Sequence, residues 1–260
     1  MIGFDHAARF HLDTASGCLK GALSFCAAAH DDLKAQAADA LSAQERALFT
    51  DRLAPRRRHS LLLGRRTAKQ ALRLLNPALN DRDLSILPGV LGQPVVRGPC
   101  VENLQVSLSH TGSLALAAAF PDDCPMGVDL DRVSPSHRAA LSQQIAQCEL
   151  QRLRAVKTGD DDAHLLALWC QKEALSKILR CGLTLPFHLL EVSEVRPDGP
   201  GFQVRFAHFS QYVGFGLSGA RLALAVVLPR HVRWGLADGR APLDLLSAWL
   251  ADAERADGAL

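Results

Sequence analysis

Three acids and two lysines have a spacing that chemistry can use. In Gly127-Val-Asp-Leu-Asp131, an extended backbone would send Asp129 and Asp131 to one side, about 6.6 Å apart, and Val128 and Leu130 to the other. In Trp169-Cys-Gln-Lys-Glu-Ala-Leu-Ser-Lys177, a helical backbone would stack Trp169, Glu173 and Lys177 on one face, with Lys172 and Ser176 on its flank. If strand and helix meet, the three carboxylates converge, and they repel unless a proton or a cation sits among them. Such an all-oxygen donor set suits Mg²⁺, with Mn²⁺ as the alternative. A divalent ion beside lysines is equipment for holding a phosphate ester. Each piece also has an ordinary use: Glu173 and Lys177 as a solvated helix-surface pair, Asp129 and Asp131 as turn residues. It is their combination that points to chemistry.

A second charged feature lies upstream. Positions 52–73 carry Arg52, Arg56, Arg57, Arg58, Arg65, Arg66, Lys69 and Arg73 and no acid. Arg65, Lys69 and Arg73 recur at helical spacing in an expected helix over 60–75, with Leu61, Leu62, Ala68, Leu72 and Leu75 for its core face. This local field fits a nucleic-acid backbone, the phosphates of a nucleotide-like ligand, or a solvated basic face. The scarcity of aromatics, with a single Tyr in the chain, argues against a base-stacking platform.

The elements that must position these residues can be read in outline. The 260 residues permit one large domain or two lobes. With 48% hydrophobic and 22% charged residues and a net charge of +2, whole-chain charge selects no polyanionic partner. No basic stretch followed by an apolar run opens the sequence, and the apolar runs at 114–120 and 222–228 are too short to span a bilayer. Seven cysteines form no CxxC pair, so reduced cytoplasmic thiols are expected rather than a disulfide framework or a zinc site.

The first 40 residues are weakly patterned, with an Ala-rich stretch at 27–41 of helical character. Ser42-x-x-Glu45 has capping-box spacing and opens a short helix over 43–53, which Pro55 is expected to end. Leu104, Val106 and Leu108 alternate with polar residues, the turn takes His110-Thr-Gly-Ser113, and 114–120 returns as a hairpin partner. Leu222-Ala-Leu-Ala-Val-Val-Leu228 echoes Leu114-Ala-Leu-Ala-Ala-Ala-Phe120, 108 positions on; Lys172-Glu-Ala-Leu175 echoes Lys69-Gln-Ala-Leu72, 103 positions on. Two echoes in the same order imply two lobes of like topology, with Gln70 in the place of Glu173. The expected fold is α+β: a pseudo-two-fold pair of similar lobes, each a helix packed on an antiparallel sheet, with the ligand cleft between them. The lobes would span 1–125 and 126–234. The segment 235–260 would be a tail with one helix at 243–253, and further strands are expected at 189–196 and 202–206.

Gly127-Val-Asp-Leu-Asp131 followed by Trp169-Cys-Gln-Lys-Glu-Ala-Leu-Ser-Lys177 resembles the paired signature (V/I)G(V/I)D and (F/W)xxKE(A/S)xxK of the 4′-phosphopantetheinyl transferases. Ser107-Leu-Ser-His-Thr-Gly112 looks like that family's Ser-His turn, and the stretch from Leu41 to Arg65 looks like its basic amino-terminal region. The resemblance covers roughly 41–228, and length and duplication are similar to the two-lobed, monomeric, surfactin-synthetase-activating type of secondary metabolite biosynthesis. It implies Mg-dependent transfer of the phosphopantetheine arm of coenzyme A to a serine of an acyl or peptidyl carrier protein, releasing adenosine 3′,5′-bisphosphate.

By position, the resemblance implies that Asp129, Asp131 and Glu173 hold Mg²⁺ on the pyrophosphate. Glu173, or a water it orients, takes the serine proton, and Lys177 steadies the pyrophosphate with Lys172 alongside. His110 meets the 3′-phosphate or its neighbours, helped by Ser109, Arg58 and Arg65. Asp131 stands where the family commonly has Glu, and Gln93 where a Lys is common. The carrier would meet 133–141, and no nucleic acid or membrane partner is implied. Two rivals use the same residues: a non-catalytic coenzyme A or carrier-protein-binding module, and an RNA-binding protein acting through 52–73.

Overall fold

The computed structural model describes residues 3–29, 33–35, 40–50, 52–134 and 138–258. The strands are β1 Phe4–Thr14, β2 Gly17–Ala27, β3 Ser85–Pro88, β4 Pro94–Arg97, β5 Leu104–Thr111, β6 Leu114–Pro121, β7 Gly127–Arg132, β8 Val192–Asp198, β9 Gly201–Phe206, β10 Tyr212–Ser218, β11 Leu222–Pro229 and β12 Arg233–Leu236. The helices are α1 Ala43–Leu48, α2 Pro55–Leu75, α3 Arg138–Gln144, α4 Gln147–Arg154, α5 Asp161–Ile178 and α6 Pro242–Gly258. Pro55 opens α2 instead of ending a helix, because a first-turn proline lacks a donor that would be unpaired there anyway. Of the helix expected over 27–41, Ala27 is the last residue of β2 and residues 33–35 are helical, while 30–32 and 36–39 lie outside the described residues.

The chain is α+β, and its sheets are antiparallel, ordered β12-β1-β2-β6-β5 and β7-β11-β10-β9-β8, with β3 and β4 as a separate pair. Strand period explains the layering. In β6, Leu114, Leu116, Ala118 and Phe120 face the second sheet, while Ala117 and Ala119 face Ala68, Ala71 and Leu72 of α2. In β11, Leu222, Leu224, Val226 and Leu228 face the first sheet, while Ala223, Ala225 and Val227 pack under α5. Large residues fill the space between the sheets, and small ones let each helix approach its own sheet closely. The outcome is a helix-sheet-sheet-helix stack in which β2-β6-β5 with α2 mirrors β7-β11-β10 with α5.

The mirror extends to two buried ion pairs. Lys69 and Lys172 are fully buried, as are Glu45 and Glu149 within 1%. Lys69 Nζ donates to Glu45 and to the carbonyls of Ala40 and Asp81; Lys172 Nζ donates to Glu149 (2.8 Å) and to those of Gln144 and Phe187. Glu45 accepts from the backbone N–H groups of Ser42 and Ile86, and Glu149 from those of Ala146 and Val192. Each ammonium meets three acceptors and each carboxylate ties a helix start to a strand start, which is what makes burial of such charges tolerable.

The segment 235–260 is not a tail. Strand β12 pairs with β1, Leu236 opposite Phe10 and Trp234 opposite Leu12, so the chain leaves the second lobe to finish the first lobe's sheet. Trp234 meets Phe10 and Phe215 edge-on, one from each sheet. Helix α6 then sends Leu246, Trp249, Leu250 and Ala253 into the core between the sheets. His6 of β1 stacks on Trp249 with ring centroids 5.5 Å apart, and its Nε2 is 2.8 Å from Asp252. The boundary at 234 therefore cuts through a strand that the first sheet needs.

Removing one carboxylate, by Glu45→Ala or Glu149→Ala, strands a buried ammonium and should cost roughly 3–5 kcal/mol. Replacing both partners with apolar side chains, as in Glu149→Leu with Lys172→Met, should cost much less. Urea unfolding midpoints of the single and double variants check this.

Candidate functional site

A cleft of about 560 Å³ lies between the lobes. Its walls include Arg57, Ser60 and Arg65 of α2, Leu91 and Gln93 of the β3–β4 turn, His110 of β5, and Glu173, Lys177 and Arg180 from α5 and its end. The lining also includes the apolar side chains of Leu48, Leu53, Leu61 and Leu87.

Close approach of α5 to β7 brings Glu173 and Lys177 to the aspartates. A Cβ at Gly127 would sit 1.9 Å from the Ala174 carbonyl oxygen, so even alanine there would push the helix away. Val128 and Leu130 enter the core between the sheets, and the opposite face of β7, carrying Asp129 and Asp131, lies under α5 beside Ala223 and Ala225. Lys177 Nζ reaches back to Asp129 Oδ1 (2.7 Å) and the Val128 carbonyl (2.8 Å). Ser109 Oγ donates to the same Asp129 oxygen at 2.7 Å, and Thr111 Oγ1 donates to Asp131 Oδ1 at 3.2 Å. Ser107 Oγ accepts from Val128 N, which fixes β7 against β5.

Glu173 feels these groups. Burial, and then the Asp129 and Asp131 charges, push its carboxyl up to about 7, with Lys177 working in the opposite direction. His110 is held below the usual imidazole range, chiefly by burial and then by Lys177, Arg57 and His59. Among the described residues, no three Asp, Glu, His or Cys side chains are grouped tightly enough as they stand to enclose a metal ion. Asp129 is instead neutralised by Lys177. The donor types nonetheless fit a hard cation: oxygen ligands only, with one acid destabilised by two others.

The strand register identifies the equivalent place in the first lobe. Ala119 pairs with Ala22 and Val227 with Gly127, so Ser24 and Cys26 stand where Asp129 and Asp131 stand, and Gln70 where Glu173 stands. Ser24 Oγ (2.5 Å) and Cys26 Sγ (2.9 Å) both donate to Gln70 Oε1. Burial pushes the Cys26 thiol up to about 12. That position is filled by neutral groups bonded to each other, and the acid beside it, Asp5 opposite Cys26, is paired with Arg66.

Several expected roles are corrected by position. Lys172 is one step from Glu173 along the helix, which turns it about 100° away into its buried pair with Glu149, and it does not line the cleft. Ser109 spends its hydroxyl on Asp129 and the Leu130 carbonyl, so it positions a carboxylate. Arg58 gives Nε to the Leu53 carbonyl and does not line the cleft; its neighbour Arg57 does. Arg65 lines the cleft but holds the Ile86 carbonyl and sits 3.9 Å from Glu45. Trp169 stacks on Phe187 at 4.7 Å.

The basic run over 52–73 does not form one outward stripe. Lys69 is buried, Arg66 pairs with Asp5, and Arg73 lies 3.4 Å from Asp81. Sequence reasoning missed Thr111, which the alternation of Ser107, Ser109 and Thr111 along β5 could have supplied.

Because folding raises the Glu173 pKa from 4.5 to about 7, the native state binds a proton that the unfolded chain has released. Its contribution to stability is complete below about pH 4.5 and is lost as pH rises through 7. In the metal-free chain, Glu173→Gln should therefore melt higher than wild type at pH 8 and close to it at pH 4.5. Thermal melts across that range in the presence of a chelator check the sign.

Comparison with known proteins converges on the same strand and helix. Residues 125–227 match the 4′-phosphopantetheinyl transferase superfamily. The chain is 30% identical over 93 residues to 4′-phosphopantetheinyl transferase psf-1 of Bacillus pumilus, covering 36% of this chain and 38% of that protein. It is 26% identical over 121 residues to 4′-phosphopantetheinyl transferase ffp of Bacillus subtilis, covering 46% and 52%. A further Bacillus subtilis 4′-phosphopantetheinyl transferase is 25% identical over 108 residues, covering 42% and 46%. The chain thus spans about two fifths to half the length of the curated relatives it matches. Over the strand and helix that build its cleft, residues 125–227, this two-lobed chain is similar to the 4′-phosphopantetheinyl transferase superfamily.

Proposed function

We propose that this chain transfers the 4′-phosphopantetheine arm of coenzyme A to a serine hydroxyl of an acyl or peptidyl carrier protein. The observation that carries the reading is Glu173, whose carboxyl is raised to about 7 by burial and the nearby aspartates, beside Lys177 on the wall of a cleft between two lobes, with Asp129 bonded to Lys177 behind that wall. A carboxylate with that pKa can accept a proton near neutral pH. The serine oxygen forms a bond to the pantetheine-side phosphorus, and the bond from that phosphorus to the bridging oxygen breaks. Adenosine 3′,5′-bisphosphate departs, and the serine proton goes to Glu173 directly or through a water it orients.

Lys177 supplies positive charge where the leaving group gains negative charge, and Ser109 and Thr111 keep the two aspartates aimed as it does so. Asp129, Asp131 and Glu173 would hold Mg²⁺, or Mn²⁺, which when bound neutralises pyrophosphate charge. His110, Arg57 and Arg65 line the same cleft and offer charge and hydrogen bonds to the remaining phosphates. The carrier would meet the segment after β7, over 133–141, of which 135–137 lie outside the described residues. The seven cysteines are free thiols and no helix among the described residues is long and apolar enough to cross a membrane; we place the protein in the cytoplasm, as a monomer without nucleic-acid partners.

A second reading, a coenzyme A or carrier-protein-binding module without turnover, draws on the closed Lys177–Asp129 pair and the absence of an assembled three-ligand group among the described residues. Mass spectrometry of an apo carrier protein incubated with the chain, coenzyme A and Mg²⁺ separates the two: transfer adds the mass of one phosphopantetheine arm, and a binding module adds nothing. Glu173→Ala and Asp129→Ala should each lower transfer on the order of 10²–10⁴-fold. A loss of tenfold or less would remove these residues from the chemistry.

A further inference from the structure

Two cations on the cleft wall pair with no acid among the described residues: Arg57 of α2 and Arg180 just past α5. They stand on opposite lobes, facing one ligand space. Arg180 is the more telling of the two because of its backbone. It is the first residue after the helix cap Leu179, in the left-handed region with φ 55°. Its N–H bonds the Lys177 carbonyl, and the next N–H, of Cys181, bonds that of Ser176. This is the helix-ending turn in which glycine is free of strain and any side chain is not.

Two residues on, at φ 52°, the chain does place a glycine, Gly182. The other non-glycine at positive φ among the described residues, Cys100, does not line the cleft. An arginine near a helix C-terminus suits the helix dipole, but the dipole favours any position in the last turn and gives no reason to use the strained one. Strain held at a ligand cleft is a reason to look for what the side chain does there.

We infer that Arg180 binds a phosphate of the donor nucleotide, supplying unpaired positive charge on the second-lobe wall, opposite Arg57 and one turn beyond Lys177. The inference rests on the functional reading above and adds a ligand-binding residue to it. Coenzyme A brings several anionic groups to the cleft, whereas Lys177 is engaged with Asp129 and Arg65 with a carbonyl and Glu45. A free guanidinium is the group that such a ligand would draw on.

Calorimetric titration of coenzyme A into the full chain with Mg²⁺ tests it, using wild type, Arg180→Gln and Arg180→Gly, with thermal melts of all three. Both variants should bind about tenfold more weakly, equivalent to about 1.4 kcal/mol. Arg180→Gly, which relieves the backbone, should melt above Arg180→Gln. Unchanged affinity in both variants, with wild type binding, overturns this inference alone and leaves Arg180 as a helix-end residue. A wild-type chain that does not bind coenzyme A overturns the functional reading and this inference with it.

Discussion

Helix α5 rests on strand β7 with no room for a side chain at position 127, where a Cβ would come within 1.9 Å of the Ala174 carbonyl oxygen. The meeting of Glu173 and Lys177 with the aspartates depends on that proximity. It lets Lys177 span from helix to strand and hydrogen-bond Asp129, and it places Glu173 within the field of both aspartates. A helix held farther off would leave three acids and a lysine exposed, each with near-ordinary properties. The small residues Ala223 and Ala225 of β11 serve the same approach one strand over. Packing and electrostatics at this site are therefore one problem, settled by residues without functional groups.

The buried lysines show a parallel economy. Lys69 and Lys172 each satisfy three acceptors, and the glutamates opposite each close a helix start and an N–H at the beginning of a strand. These charges work as joints between elements. A residue next to a chemical group in sequence can therefore be structural: Lys172 and Glu173 are neighbours, and the turn of the helix sends one into the core and the other into the cleft.

Much of this was legible from the sequence, and the limits have physical causes. The two-fold echo was readable because β6 and β11 alternate large and small residues for the same reason, a core on one face and a helix on the other. The strand and helix that bear the acids were readable from period alone. Strands β1 and β2 were not. In β1 the alternation of Phe4, Ala8, Phe10 and Leu12 is diluted by half-exposed histidines, and β2 is buried on both faces beyond Gly21 and so loses its period. Spacing gives the face of an element but not the partner that waits there: Ser109 is on Asp129, Arg58 on the Leu53 carbonyl and Lys172 on Glu149. Strand β12 escaped because its partner is more than two hundred residues away in the chain.

The neutral Ser24–Cys26–Gln70 cluster has a consequence for how the molecule can be used. A duplicated scaffold with acids in both halves would offer two quasi-equivalent seats, and a ligand could dock in either of two opposed directions. With one seat filled by uncharged groups bonded to each other, the polypeptide keeps its near-symmetry of shape while losing its symmetry of charge. On the proposed function, it would take up one divalent ion per chain, and the donor nucleotide would meet a cleft with a single polarity.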